Sequence, residues 1–211
     1  MFSSLTEEDL AIMNRNRFVV NYKPGELIYK QGSSFTHVIS LSTGKVKMYI
    51  EGSRDIIIKI AKPVELIIGP GIYIDQKHYN SASALEEVNA CFIEVGDFKE
   101  VFRRNPRFAE EVTREISSKG LSTLQKMMSL NLKQTPGLVA EALIHLADDV
   151  FGTMRYKMIL SRQELADLCG VTKESVIRVL KDFKHEGIIK SEGHYIEILD
   201  YNMIKKISQL G

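Results

Sequence analysis

The chain has 211 residues, enough for one large or two small domains, each with its own core. Apolar residues make up 44% and charged residues 26%, which excludes a disordered or fibrous chain. A formal net charge of +1 leaves no global field, so nucleic-acid binding would have to come from a local patch.

The opening stretch, MFSSLTEEDLA, lacks the basic and apolar regions of a secretory leader. No apolar run approaches the roughly 20 residues that span a bilayer. Both observations predict a cytoplasmic protein with no membrane partner. Thr6 to about Asn14 carries a helix signal, with Thr6 as cap, Asp9 three residues on, and Leu10 and Met13 as apolar positions. From Phe18 the period changes. Short β-rich runs at Phe18–Val20, Leu27–Tyr29, Val38–Ile39, Val46–Ile50, Ile56–Ile60, Leu66–Ile68 and Ala90–Ile93 are separated by turn residues at Pro24-Gly25, Gly32-Ser33, Gly44, Gly52-Ser53 and Gly69-Pro70-Gly71. Strands at this spacing predict a sandwich or barrel. Cys91 and Cys169 lie far apart among apolar neighbours with no CxxC spacing, and read as small buried hydrophobes.

The helical pattern returns after Gly96-Asp97-Phe98. Asn105-Pro106 reads as a cap followed by proline in the first turn. A long helix then runs to about Leu132, with Phe108, Val112, Ile116, Thr123/Leu124 and Met127/Met128 in one near-heptad stripe. At 1.5 Å per residue its length is about 40 Å, more than a small β domain covers, so the stripe is expected to face a second copy of the chain; packing of the stripe on the β domain is the plain alternative. Thr135-Pro136-Gly137 breaks the pattern and is the hinge candidate. A further amphipathic helix ends near Asp149, and Tyr156–Leu160 reads as a short strand.

The most informative stretch is Ser161–Gly187. Ser161 with Glu164 forms a capping box, Leu165 and Leu168 share a face, and Gly170 suits the left-handed residue that ends a helix. Thr172 caps a second helix whose Val176, Val179, Leu180 and Phe183 form a buried stripe. Ile188–Lys190, a turn at Gly193-His194, and Tyr195–Leu199 add two strands, and a short helix ends the chain. The pattern predicts a helix-turn-helix with a wing; each half also occurs in ordinary helical hairpins.

The whole order resembles the bacterial family of the cyclic-AMP receptor protein and the fumarate-nitrate regulator. Pro24-Gly25-Glu26, Gln31-Gly32, Gly44, Asn105-Pro106 and above all SRQELADLCGVTKESVIRVLKDFKHEGII carry the likeness. The resemblance implies an α+β chain with three parts: residues 1–104 as a double-stranded β-helix (jelly-roll, cyclic-nucleotide-binding-like) sensor, 105–134 as a dimerisation helix, and 135–211 as a winged helix-turn-helix. It implies a homodimeric transcription regulator that reads a palindromic site in double-stranded DNA with residues 172–184, and RNA polymerase as a further partner. Lys173, Glu174 and Arg178 fall at its base-reading positions, where lysine and arginine suit guanine O6/N7 and glutamate suits cytosine N4. Arg162, Gln163, Thr172 and Ser175 fall where the family holds phosphates. Ile177 adds an apolar side chain that suits a thymine methyl. A solvated Glu174–Arg178 pair is the plain alternative. Ten Lys/Arg against eight Asp/Glu from Arg155 to Gly211 are too weak an excess to decide.

The sensor departs from the family. Its cAMP binders carry FGE and, about ten residues after the Glu, Arg-Ser or Arg-Thr; here Pro70 stands for the Glu and Asn80-Ser81 for the Arg-Ser pair. An adenine-facing Thr-Ser pair becomes Thr123-Leu124. The expectation is a protein that does not bind cAMP, with a degenerate pocket near Pro70, Tyr73, Asn80, Ser81, Thr123 and Leu124, filled by Tyr73 and Tyr79 or holding another effector. With two cysteines in all, no cluster for an iron–sulfur centre exists. Haem stays open, with His78 and Tyr79 the nearest candidate ligands; no histidine pair has metal-ligand spacing. A β-roll module acting without DNA is the alternative function. No P-loop, nucleophile elbow or carboxylate pair points to an enzyme.

Overall fold

A computed structural model describes residues 4–211; the first three residues of the stretch read for a leader lie outside the described residues. The chain divides into two compact units. One holds the residues up to Glu51 together with Ile60–Leu124, and the other holds Gly52–Lys59 together with Gln125–Gly211.

In the first unit, α1 (Glu7–Asn14) starts at the expected capping box: the Thr6 hydroxyl accepts from the Asp9 amide at 3.2 Å, and the Asp9 carboxylate accepts from the Thr6 amide at 3.0 Å. The strands that follow are β1 (Phe18–Tyr22), β2 (Leu27–Tyr29), β3 (His37–Thr43), β4 (Val46–Ile50), β5 (Ile56–Ala61, most of which is grouped with the second unit), β6 (Leu66–Ile67), β7 (Ser81–Ala84) and β8 (Val88–Glu94). They form two four-stranded sheets of order β1-β8-β3-β6 and β2-β7-β4-β5, the two-sheet roll that the turn spacing predicts. Phe18 opposes Phe92 in the β1–β8 register, and their rings stack at 5.0 Å. Gly44 holds the β3–β4 turn at φ +80°, and a Cβ there would lie 2.3 Å from the Glu87 carbonyl oxygen, so only glycine fits.

β7 had no counterpart among the expected strands. Its sequence, Ser-Ala-Ser-Ala, lacks the β-branched and aromatic residues that mark a strand, yet it pairs with both β2 and β4 and all four residues are buried. Small side chains are what this position tolerates.

After α2 (Val95–Arg104), Asn105 caps α3 (Pro106–Leu132) by accepting from the Phe108 amide at 3.0 Å. The apolar stripe of α3 divides. Phe108 and Val112 are fully buried in one cluster with Val38, Leu66, Ile93 and Phe98, and Ile116 packs against it. Leu121, Leu124, Met127, Met128 and Leu132 are all more than half exposed. The expectation of one continuous stripe facing a second copy is therefore corrected for its first half, which packs on the roll as in the plain alternative; Leu121, Leu124, Met127, Met128 and Leu132 are left exposed among the described residues.

In the second unit, α4 (Thr135–His145) begins at Thr135 with Pro136 in its first turn. Thr135-Pro136-Gly137 thus starts a helix instead of forming the expected hinge, because proline's fixed φ suits a first turn. The break falls on Lys133-Gln134. A π-helical turn (Leu146–Phe151) extends α4 and ends at Gly152 with φ +66°. β9 (Arg155–Lys157) lies earlier than the expected strand at 156–160. Then follow α5 (Arg162–Cys169), α6 (Lys173–His185), β10 (Ile189–Glu192), β11 (Tyr195–Ile198) and α7 (Tyr201–Leu210). The sheet order is β10-β11-β9, so the wing has three strands, not two. Cys91 and Cys169 are both buried, unpaired thiols. No helix among the described residues is long and apolar enough to cross a membrane.

Candidate nucleic-acid interface

The two helices α5 and α6 are fixed by local chemistry at each end. The Ser161 hydroxyl accepts from the Glu164 amide at 3.1 Å, and the Glu164 carboxylate accepts from the Ser161 amide at 2.8 Å. Gly170 stops α5 at φ +69°, where an L side chain is strained. Thr172 caps α6 by accepting from the Ser175 amide at 3.3 Å, and its hydroxyl donates to the Ser175 oxygen at 3.0 Å. Between these stops, Leu165, Ala166, Val176 and Val179 are buried, so the angle between the helices is set by packed side chains.

That packing decides which face of α6 is presented. Val176, Val179, Leu180 and Phe183 turn inward. Thr172, Lys173, Glu174, Ile177 and Arg178 are exposed, and Ser175 is half-buried at the helix start. Ile177 is 47% exposed, which is uncommon for an isoleucine with a buried stripe beside it. Glu174 and Arg178 sit one turn apart on α6, both exposed, and no ion pair joins them among the described residues. All eight residues proposed from sequence lie on α5, α6 or the turn between them.

Two of them have further partners. Gln163 donates to the buried Asp167 at 2.8 Å, which restrains it at the α5 surface. Arg162 lines a cleft of about 310 Å³ between the start of α5 and the wing, together with Ser161, Ser191 and His194, over the apolar Met158 and Ile196. Reading the sequence passed over His194 and Ser191; a Gly-His turn signals a hairpin but not what the hairpin faces.

The residues expected around a sensor pocket differ in exposure and in their bonds. Thr123 is exposed and its hydroxyl bonds back to the Lys119 carbonyl at 2.9 Å, and Leu124 is 61% exposed. Pro70 begins a 3₁₀ turn (Pro70–Ile72). Tyr73 and Tyr79 do not fill the roll: both are about half exposed, Tyr73 lying 5.6 Å from Phe102 and Tyr79 bonding Asp75 at 3.0 Å. Inside the roll the rings of Tyr29 and His78 stack at 3.9 Å, with Phe35 4.6 Å from His78. Asn80 donates to the Tyr29 hydroxyl at 3.0 Å. Ser81 is fully buried; its hydroxyl donates to the Glu51 carboxylate and accepts from the Gln31 amide at 2.8 Å. Burial pushes the Tyr29 hydroxyl up to about 12. No group of three or more His, Cys, Asp or Glu residues is placed to hold a metal among the described residues.

A family model described as a Crp-like helix-turn-helix domain matches residues 139–207, and one described as a cyclic nucleotide-binding domain matches residues 19–105. The transcriptional activator protein anr of Pseudomonas aeruginosa is 28% identical over 208 residues, covering 93% of this chain and 83% of that protein. The CRP-like cAMP-activated global transcriptional regulator of Mycobacterium tuberculosis is 25% identical over 207 residues, covering 95% and 92%. The solved structure of FixK2 from Bradyrhizobium japonicum matches with a TM-score of 0.83 at 19% identity, over 90% of this chain and 96% of that one, a likeness of fold.

The second model implies a cyclic nucleotide, and the residues present do not fit one. Where a guanidinium would meet the phosphate stands Asn80, already bonded to Tyr29, and the neighbouring Ser81 hydroxyl is held by a carboxylate. A buried phosphate there would lack a charge-assisted partner and would face the charge of Glu51.

His78 gives this region a pH signature. Burial disfavours the imidazolium and brings its pKa down to about 4. The unfolded chain binds the proton near pH 6.5 while the folded chain does not, so the stability is fully present above that pH and is lost as pH falls toward 4. In urea titrations at pH 7 and pH 5, wild type should lose about 1–2 kcal/mol more than His78→Phe, which keeps the stacking and removes the titration.

Proposed function

We propose that the chain, whose two matched domains are those of Crp/Fnr regulators, is a transcription regulator of that family and acts as a homodimer that reads a palindromic DNA site with α6. Regulators of this family bind DNA and dimerise. The observation that carries the assignment to particular residues is the exposed set Lys173, Glu174 and Arg178 on the face of α6 opposite Val176, Val179 and Phe183. Lys173 and Arg178 donate to guanine edges, Glu174 accepts from cytosine, and Ile177 meets a thymine methyl. Arg162, Gln163, Thr172 and Ser175 hold the backbone, Arg162 doing so from the cleft beside the wing. The dimer forms through Leu121, Leu124 and Met128, which follow the spacing of a two-stranded coiled-coil seam and are exposed in the single chain. The two copies of α6 would then meet half-sites roughly 34 Å apart. The protein works in the cytoplasm with RNA polymerase, under an effector other than cAMP or under none; the internally bonded Asn80, Ser81 and Glu51 support that last point.

Three measurements test this reading. Against a site selected from random DNA, Arg178→Ala should weaken specific binding by about 1–3 kcal/mol in a gel-shift titration while the dimer persists. Leu124→Asp should shift the dimer toward monomer in sedimentation, since a carboxylate in such a seam is desolvated without a partner. Calorimetry with cAMP should show no micromolar binding; a micromolar isotherm would sink the claim about the sensor.

A further inference from the structure

The last turns of α3 carry, besides the exposed apolar residues, a second set of side chains that engage α4 and α5. Lys126 reaches the C-terminal end of α5, where its ammonium donates to the Leu168 carbonyl at 2.6 Å. That carbonyl belongs to the last turn of α5, where backbone acceptors have no partner within the helix and the helix dipole is negative. One turn further along α3, Leu130 fills the space beside Gly170: a Cβ on that glycine would lie 2.5 Å from a Leu130 methyl carbon. On the adjoining face, Ser129 and Lys133 both donate to Glu141 of α4, at 3.0 and 2.8 Å.

Lys126 is desolvated, and burial lowers its pKa. The nearby Cys169 thiol is held up to about 12 by burial and stays neutral, and Glu141 is already engaged by Ser129 and Lys133. The ammonium is thus directed at a backbone carbonyl rather than at an ion-pair partner. A desolvated cation is costly unless hydrogen bonds satisfy it, as the Leu168 carbonyl does here. The same bond fixes the end of α5 at the point where the chain turns into α6. Because α5 and α6 are locked together by Leu165, Ala166 and Val176, displacing the Leu168 carbonyl displaces the reading face as well.

We propose that Lys126 is the positioning residue of the reading helix, transmitting the rotational setting of α3 to α6 through the Leu168 carbonyl. This rests on the DNA-reading function proposed above. Lys126 touches no base, so its effect falls on specific binding, where α6 must be aimed, and spares the backbone attraction common to all sequences.

The experiment compares wild type with Lys126→Met and Lys126→Arg, at a temperature well below each melting point, after sedimentation has shown each to be dimeric. The ratio of operator to random-sequence affinity should fall about tenfold in Lys126→Met, with non-specific affinity unchanged, and Lys126→Arg should recover most of it. A role confined to stability would lower the melting point and leave the ratio alone; that result overturns the proposal. If Lys126→Met does not fold, Lys126→Gln, which keeps a donor without the charge, should show the same fall, and an unchanged ratio there overturns it equally. Wild type that selects no sequence at all would instead overturn the DNA-reading function itself.

Discussion

α3 is one unbroken hydrogen-bonded helix, and most of the molecule depends on that constraint. Along such a helix each residue is turned about 100° from the last, so no side chain can be re-aimed alone. In the first unit Phe108 and Val112 are committed to the roll core, while Leu121 and Leu124 are left exposed. In the second unit the end of the helix directs Lys126 toward the end of α5 and Ser129 toward Glu141. Three kinds of contact share one helix because their spacings place them on different faces: apolar packing near its start, an uncovered apolar seam further on, and polar contacts to α4 and α5.

The roll follows a different logic. A site that receives an anion leaves donors waiting for it. Here the polar groups bind one another: Asn80 with Tyr29, and Ser81 with both Glu51 and Gln31. Buried polar groups satisfied in this way gain little from a ligand and lose bonds if one intrudes. The stacked rings of Tyr29 and His78 occupy the volume beside them. The polar groups of this part of the roll are thus satisfied by one another.

Where sequence reading succeeded, the signals were local. The caps at Thr6, Asn105, Ser161 and Thr172 all hold the bonds that their spacing implies, because capping depends on three or four consecutive residues. It failed where a partner distant in sequence decides. Ser81–Ala84 is a strand because β2 and β4 lie on either side, not because serine and alanine favour one. β9 joins the wing through pairing with β11, across a whole helix-turn-helix. The stripe on α3 was legible as apolar, but periodicity does not say what covers an apolar residue, and the cover changes after Ile116. At the interface the exposed residues were legible because the buried ones beside them were. The cleft holding His194 was not, since it exists only once the wing folds back beside α5.

The two buried thiols have a practical consequence. Burial pushes both Cys91 and Cys169 up, away from the thiolate that alkylating reagents require. The native chain should therefore react slowly with maleimides and nitroxide reagents at both positions. A single cysteine placed on the solvent side of α6 would carry the only reactive sulfur in each protomer. A distance measured between two such labels would report directly how the reading helices are spaced.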